Sequence, residues 1–478
     1  MIGRCYNYIK AILSFLEVLT MRLQNKLMQK RLWKEGVKHC TFDPEGPGVV
    51  RMHLVPPKFR LFGNPEYILI LNGYYLLPLG YSWAVLLSAF MDEVNRFDGE
   101  IIGEEENGTI VQNTVKRVHK VYPLLQKAEI EADLDEMLAI VFEVAHGGSP
   151  DVDIERLSIR SYAPNMSAPH RMDLMVSAMT DENGNWKCNQ KCRFCYAAGQ
   201  KLGCTRELTG EEWKTVLDQL RAAGVPMVTF TGGEPTMRAD LTELVDYAKW
   251  FVTRVNTNGV ALTEALAKDL KRASLDSIQI TLYSSDASVH NELVGADHFA
   301  DTSAGIRNAV LSGLDVSVNT PLCRKNADYA STLAYIASLG VRFVTLSGLI
   351  CTGGASEKHE ENDLNEDELF EIVKQAKAYC DAHGMEMDFT SPGLISREKL
   401  ESLSLNVPSC GAALSNMAIA PDGTVVPCQS WLGSEVALGN LLTDPFDRIW
   451  KHETCVKLRK MSEEEALKCP FRAQKKEV

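Results

Sequence analysis

From Arg171 to Thr390 the chain alternates short apolar runs with helix-patterned stretches, and this alternation restricts the possible folds most severely. The predicted strands cover residues 173–179, 227–230, 252–256, 277–282, 316–320, 343–346 and 385–389. Helical patterns lie between them at 211–223, 241–251, 264–273, 302–312, 328–339 and 366–383. Thr209 and Glu212 have capping-box spacing ahead of the first helix, and Asn365 is a good N-cap for the last. Parallel strands need helical crossovers, so the alternation implies a parallel sheet. The expected class is α/β, a partial (βα)6 TIM-like barrel. Chemistry in such barrels gathers at the C-terminal ends of the strands.

The flanks read differently. Residues 1–45 form a basic, amphipathic helical lead-in. Residues 46–148 form an α+β module, with strands at 49–54, 67–71 and 74–79. Asn72-Gly73 supplies a tight turn between the last two strands. Helices follow at 82–97, 110–121 and 133–146, and residues 149–170 serve as a linker. The final segment, 391–478, reads as a small β-hairpin/helix domain: strands 416–420 and 424–427 flank the turn Pro421-Asp422-Gly423, and a short helix runs over about 446–460.

The net charge of −13 disfavours nucleic acid and anionic membrane as partners. The most apolar N-terminal run, 11–19, is broken by Glu17 and too short to span a bilayer, and no signal-peptide pattern follows it. A cytoplasmic location is expected. There, the 13 cysteines stay reduced, and their clustering suggests metal ligation. Cys188, Cys192 and Cys195 lie together, while Cys410, Cys428 and Cys469 lie toward the C-terminus. Cys323, Cys351 and Cys380 read as small buried hydrophobes.

The triplet sits in a predicted βα loop, Trp186-Lys187-Cys188-Asn189-Gln190-Lys191-Cys192-Arg193-Phe194-Cys195-Tyr196. Three thiolates at this spacing can converge on one inorganic centre. Structural zinc wants four closed ligands, and no fourth is adjacent. Soft thiolates also suit iron–sulfur clusters, and three of them on a four-iron cluster leave one iron open. Lys191 and Arg193 are expected to offset the anionic charge and lower the thiol pKa values. A zinc site remains the alternative for the triplet taken alone.

The cysteine spacing, with Phe194 before the last cysteine, resembles the radical S-adenosylmethionine (SAM) superfamily. Other motifs extend the resemblance over 171–390. Thr231-Gly232-Gly233-Glu234-Pro235 follows the second strand, Asn256-Thr257-Asn258-Gly259 ends the third, Thr281-Leu282-Tyr283 the fourth, and Asn319 the fifth. By this resemblance Gly232, Gly233 and Glu234 meet the methionyl amino group, and glycine suits a close approach of ligand to backbone. Thr281 would meet the methionyl carboxylate, and Asn319 the cofactor. Taken alone, Gly-Gly before an acid is a common turn, and Thr281 and Asn319 could be strand-end caps. The implied cofactors are SAM and a 4Fe-4S cluster, and the implied product is a 5′-deoxyadenosyl radical that abstracts hydrogen from substrate. An electron donor such as flavodoxin or ferredoxin is the implied partner.

Cys410-Gly411, Pro421-Asp422-Gly423, Cys428, Leu438-Gly439-Asn440 and Ile449-Trp450 resemble the auxiliary-cluster domain called SPASM, or its shorter form, twitch. Cys469 is the third implied ligand of a second iron–sulfur cluster, with Cys455 or a non-protein group completing it. The further cysteines of a full SPASM domain do not follow, so at most one auxiliary cluster is expected. Buried thiols in a hairpin are the plainer alternative. More weakly, the N-terminal module resembles the PqqD-like leader-peptide recognition element, through its hairpin, Tyr122-Pro123 and the helix 131–138. The expected function is therefore radical modification of a peptide or protein. Radical oxidation of a small metabolite and a non-catalytic, zinc-stabilised binding protein are the alternatives. Gln429 occupies the position of a catalytic Asp in some related maturases, so no general acid or base is assigned. Asp286, His290 and Asp422 read as surface turn residues.

Overall fold

The structure is a computed structural model. It describes residues 35–42, 49–57, 66–97, 103–148, 156–181, 183–356, 359–433, 436–464 and 469. Contacts divide the chain into two units, Met1–Met166 and Ser167–Val478.

The N-terminal unit has an antiparallel sheet in the order β1-β2-β3-β4: Lys38–Phe42, Val50–Val55, Tyr67–Leu71 and Tyr75–Leu79. Asn72 and Gly73 both adopt positive φ, 50° and 68°, which is the twist that joins β3 to β4 most tightly. Three helices follow, Tyr81–Val94, Glu104–Val121 and Lys127–Ala145. Helix 81–94 is buried on nearly every side. Its buried Glu93 pairs with Arg117 at 2.8 Å, and Asp92 pairs with Arg117 and Lys38 at 2.7 Å each, so one charge network ties β1 and helix 104–121 to it. One expectation fails here. Residues 38–42, assigned to a helical lead-in, form a strand, because Cys40 is buried against Met52 of β2. Residues 1–34 of that lead-in lie outside the described residues.

The C-terminal unit is a mixed, open sheet of ten strands flanked by helices, in the order β11-β10-β9-β8-β7-β6-β5-β12-β13-β14. All seven predicted strands occur in it, running parallel: β5 Arg171–Ser177, β6 Met227–Gly232, β7 Val252–Thr257, β8 Ser277–Thr281, β9 Asp315–Leu322, β10 Phe343–Gly348 and β11 Glu386–Phe389. Both predicted caps form: Thr209 Oγ1 accepts from Glu212 N, and Asn365 Oδ1 from Glu368 N at 2.9 Å. The sheet does not close into a barrel, since β11 and β14 are its two edges. The C-terminal hairpin, β12 Asn416–Ile419 with β13 Thr424–Val426, does not stand apart. β12 pairs in parallel with β5, Asn416 opposite Arg171, and so extends the same sheet, with β14 Gly439–Asn440 beyond it. A further helix, Ala287–Val294, was not legible in the sequence. No helix among the described residues is long and apolar enough to cross a membrane.

Candidate active site

The cysteine loop follows β5, and two neighbouring strand ends meet it. Cys188 Sγ donates to the Gly233 carbonyl at 3.3 Å. Asn258 Nδ2 donates to Asn189 Oδ1 at 2.6 Å, while the Asn258 backbone N–H donates to Glu234 at 2.8 Å. Three motifs widely separated in sequence are thereby stitched together. Glu234 is 2% exposed and also accepts from the Thr236 and Thr257 hydroxyls at 2.5 Å and from Thr236 N at 3.0 Å. Burial still pushes its pKa up, outweighing these bonds. Both carboxylate oxygens are spent on the protein's own loops, so Glu234 acts as a clasp between the ends of β6 and β7.

The two glycines before it are required for a related reason. A Cβ on Gly232, at φ +132°, would lie 2.3 Å from the Ser177 carbonyl, and one on Gly233 would lie 2.7 Å from the Ala178 carbonyl. The backbone at the end of β5 thus itself makes a close approach that demands glycine.

Phe194 is 7% exposed and packs with Tyr283, Leu293, Val294, Cys323, Leu349 and Ala355. Its ring anchors the loop. Thr281 ends β8, but its register partner Asn319 does not end the fifth strand as expected: β9 stays paired with β10 as far as Leu322, so Asn319 lies inside it. Asn319 Oδ1 accepts from Thr345 Oγ1 at 3.0 Å, and Thr345 Oγ1 accepts from Gln279 Nε2 at 3.1 Å. This polar row across β8, β9 and β10 is uncharged.

Sequence reasoning missed the grip on the loop from behind. Lys191 N and Arg193 N donate to the carbonyls of Val294 and Leu293 at 2.9 and 2.8 Å, at the C-terminus of the unforeseen helix 287–294. Gly295 follows, at φ +65°, and a Cβ there would lie 2.7 Å from the Lys191 carbonyl. On another side Gly354 N donates to the Cys195 carbonyl at 2.8 Å. A Cβ on Gly353, at φ +57°, would lie 2.3 Å from the Tyr196 carbonyl and 2.5 Å from that of Cys195. The Gly-Gly pair after β10 was the only available signal, and it is weak without a known neighbour. His290 contradicts its surface reading: it is fully buried, and its Nδ1 accepts from Tyr283 N at 3.3 Å. Asp286 caps helix 287–294, and Asp422 holds the β12–β13 turn by accepting from Thr424 N at 3.0 Å.

Burial dominates the thiol electrostatics. It pushes Cys188 up to about 12, with smaller contributions from Glu234 and Cys195, and raises Cys192 and Cys195 as well. The lowering expected from Lys191 and Arg193 is not seen at these thiols; Arg193 acts instead on Cys323. In the C-terminal segment Cys428 is raised by burial and then by Cys410 and Cys469, so these three sulfurs are neighbours. Ser462, on the helix Glu453–Glu464, donates to the Ala412 carbonyl at 2.7 Å and reaches Cys410 Sγ at 4.0 Å. Cys455 has another partner: Arg459 Nη1 lies 3.7 Å from its sulfur. Tyr196 sits between the two groups, within the fields of both Cys195 and Cys428.

Comparison with known proteins agrees with this geometry. Residues 187–336 match the radical SAM superfamily, and residues 410–470 match the SPASM iron–sulfur cluster-binding domain. The chain is a radical SAM enzyme with a SPASM-like auxiliary domain. It is 27% identical over 271 residues to the PqqA peptide cyclase of Streptomyces rochei, covering 55% of this chain and 72% of that protein. It is 28% identical over 279 residues to the mycofactocin maturase MftC of Mycolicibacterium smegmatis, covering 56% and 68%. The fold is similar to that of Streptococcus suis SuiB bound to its precursor peptide SuiA, with a TM-score of 0.54, 14% identity, and coverage of 82% of this chain and 87% of that one.

A radical SAM–SPASM architecture implies iron–sulfur clusters and SAM, and the donor set suits them. Among the described residues no three His, Cys, Asp or Glu side chains converge on a single ion. Yet Cys192 senses both Cys188 and Cys195 electrostatically. Thiols that are neighbours without converging suit a multi-iron cluster, which holds its thiolates farther apart than one zinc ion does.

Proposed function

We propose that this radical SAM enzyme acts on a peptide or protein, using a 5′-deoxyadenosyl radical. The convergence of Cys188 on Gly233 and of Asn189 on Asn258 carries the reading, since it draws the cysteine loop onto two strand ends of the sheet. The relevant framework is a partial (βα)6 barrel over 171–390, with 391–478 as the auxiliary domain. Cys188, Cys192 and Cys195 would hold the SAM-binding 4Fe-4S cluster. Cys410, Cys428 and Cys469 would hold a second. When bound, the reduced first cluster supplies the electron that cleaves the sulfonium carbon–sulfur bond.

The chain's own residues position and enclose. Phe194 fixes the cysteine loop, while the Gly232-Gly233 backbone, held by the Glu234 clasp, offers carbonyls to the methionyl ammonium. Thr281 and Asn319, opposite one another on adjacent strands, offer hydroxyl and amide. Buried Tyr283, Leu293 and Val294 keep water from the loop. The PqqA peptide cyclase relative supports a peptide substrate. So does the make-up of the N-terminal unit: strands β2, β3 and β4 and the three helices suit a PqqD-like element at 46–148 that captures a leader peptide as an added strand.

The test is 5′-deoxyadenosine release by anaerobic protein given reductant, SAM and candidate leader-bearing peptides. Release that depends on a peptide, with a mass change in that peptide, is the expected result. Release driven by a small metabolite and by no peptide would defeat the proposal.

A further inference from the structure

Strands β7 to β10 present two unlike faces. Val255, Ile278, Ile280, Val318 and Val344 lie on one and are fully buried. Arg254, Asn256, Gln279, Ser317, Asn319 and Thr345 occupy the alternate positions, in register, and make the other face polar. The cysteine loop lies on the polar side, where Tyr196, next to Cys195, feels Thr231 and Asp173.

Three buried polar atoms of that face have no hydrogen-bond partner among the described residues: Thr229 Oγ1, Arg254 Nε and Asn256 Oδ1. Thr229 and Arg254 are register partners on β6 and β7. Asn256 is the next residue of β7 on the same face, about 7 Å along it toward the cysteine loop. The three therefore form one patch, with a hydroxyl and a guanidinium N–H at one end and an amide oxygen at the other.

Arg254 is the cation of this patch. Its side chain crosses β8, and Nη2 donates to Ser317 Oγ at 2.9 Å. Asp173 and Asp315 favour its charge, Arg171 opposes it, and burial, the largest effect, lowers its pKa to about 10. Neither acid closes an ion pair with it. Asp173 takes Arg171 at 2.9 Å, and Asp315, at the start of β9, also lies in the field of Lys271. The remaining acids of the face, Glu386 and Asp388, stand on the edge strand β11. A guanidinium bonded only to a neutral hydroxyl, with an N–H to spare, favours a carboxylate over any neutral acceptor, because charge-assisted hydrogen bonds are the strongest it makes.

We propose that Thr229, Arg254 and Asn256 form a subsite for a carboxylate of the peptide substrate. Arg254 Nε–H and the Thr229 hydroxyl donate to the carboxylate, and Asn256 Oδ1 accepts the neighbouring peptide N–H. The inference deepens the peptide reading above and rests on it. A C-terminal carboxylate and an acidic side chain share this chemistry. Arg254 stands about 13 Å of strand before Asn258, which holds the cysteine loop, so the residue that reacts lies within about four residues of the carboxylate.

Ligand-observed NMR on full-length protein, loaded with cluster and SAM under anaerobic conditions, measures the binding of three probes. These are acetyl-Gly-Ala-Gly with a free C-terminus, its C-terminal amide, and acetyl-Gly-Glu-Gly amide. At least one acid should bind about tenfold tighter than the neutral amide. Preference for the first acid assigns the peptide terminus, and preference for the second assigns a side chain. Arg254→Met should lose the preference yet melt no lower than wild type, since replacing a buried, unpaired charge by an apolar chain of like volume is neutral or stabilising. Thr229→Val, which alters one hydroxyl, should weaken the preference severalfold and settles the matter if Arg254→Met folds poorly. Equal binding of acids and amide by wild type overturns the proposal. So does a preference that survives Arg254→Met, or one unchanged in Thr229→Val. Loss of the preference in protein that still modifies a peptide defeats this inference alone. An intact preference without SAM cleavage on any peptide defeats the reading beneath it and gives the subsite to a small acid.

Discussion

Replacing Gly353 by Ala tests whether the loop after β10 holds the cysteine loop in shape. Two costs combine at this position. An L-residue at φ +57° costs about 1–2 kcal/mol in backbone strain. The new methyl would also stand 2.3–2.6 Å from backbone atoms of Cys195 and Tyr196, and backbone cannot swing aside as a flexible side chain can. Overpacking of this kind costs a further 1–3 kcal/mol, roughly. Gly384 supplies a matched control. Its φ is +61°, almost the same, but a Cβ there meets nothing within 4 Å. Gly384→Ala should therefore show the strain alone. The excess in Gly353→Ala, about 2 kcal/mol, falls on the cysteine loop and lowers the population of its cluster-ready form about thirtyfold. Anaerobic reconstitution with iron and sulfide counting, beside thermal melts, measures both. Gly384→Ala should melt slightly earlier with full iron, and Gly353→Ala should lose iron selectively from the first site. If the two variants retain equal iron and melt alike, the grip we assign to Gly353 and Gly354 does not exist.

Other expectations are independent of that one. Alanine at Cys188, Cys192 and Cys195 together should remove about four irons and leave about four, and alanine at Cys410, Cys428 and Cys469 should do the converse, as read by metal analysis. Glu234→Gln puts an amide N–H where the Asn258 N–H now donates; loss of that charged acceptor should cost about 2–3 kcal/mol in urea unfolding and reduce SAM cleavage. Burial lowers His290 to about 4, so the folded state refuses a proton that the unfolded chain accepts below about 6.5. Stability is then full above pH 6.5 and falls toward pH 4, by about 2 kcal/mol between pH 7 and 5. His290→Asn, which keeps an acceptor for Tyr283 N, should lack that component; an unchanged pH profile would refute the assignment.

The sequence by itself determined whatever depends on residues close together in the chain. Strand–helix alternation, the caps at Thr209 and Asn365, the Asn72-Gly73 turn and the spacing of the three cysteines all follow from local dihedral preference and periodicity. Only the tertiary structure decided what lies beside what. It joined β12 to β5, put Val294 and Gly353 behind the cysteine loop, closed Glu234 within its own loops, and buried His290. None of these was legible, because a glycine shows why it lacks a side chain only when the atom that would collide with one is known. Likewise, a carboxylate or an imidazole has no fixed role until its neighbours have either taken its hydrogen bonds or removed its water.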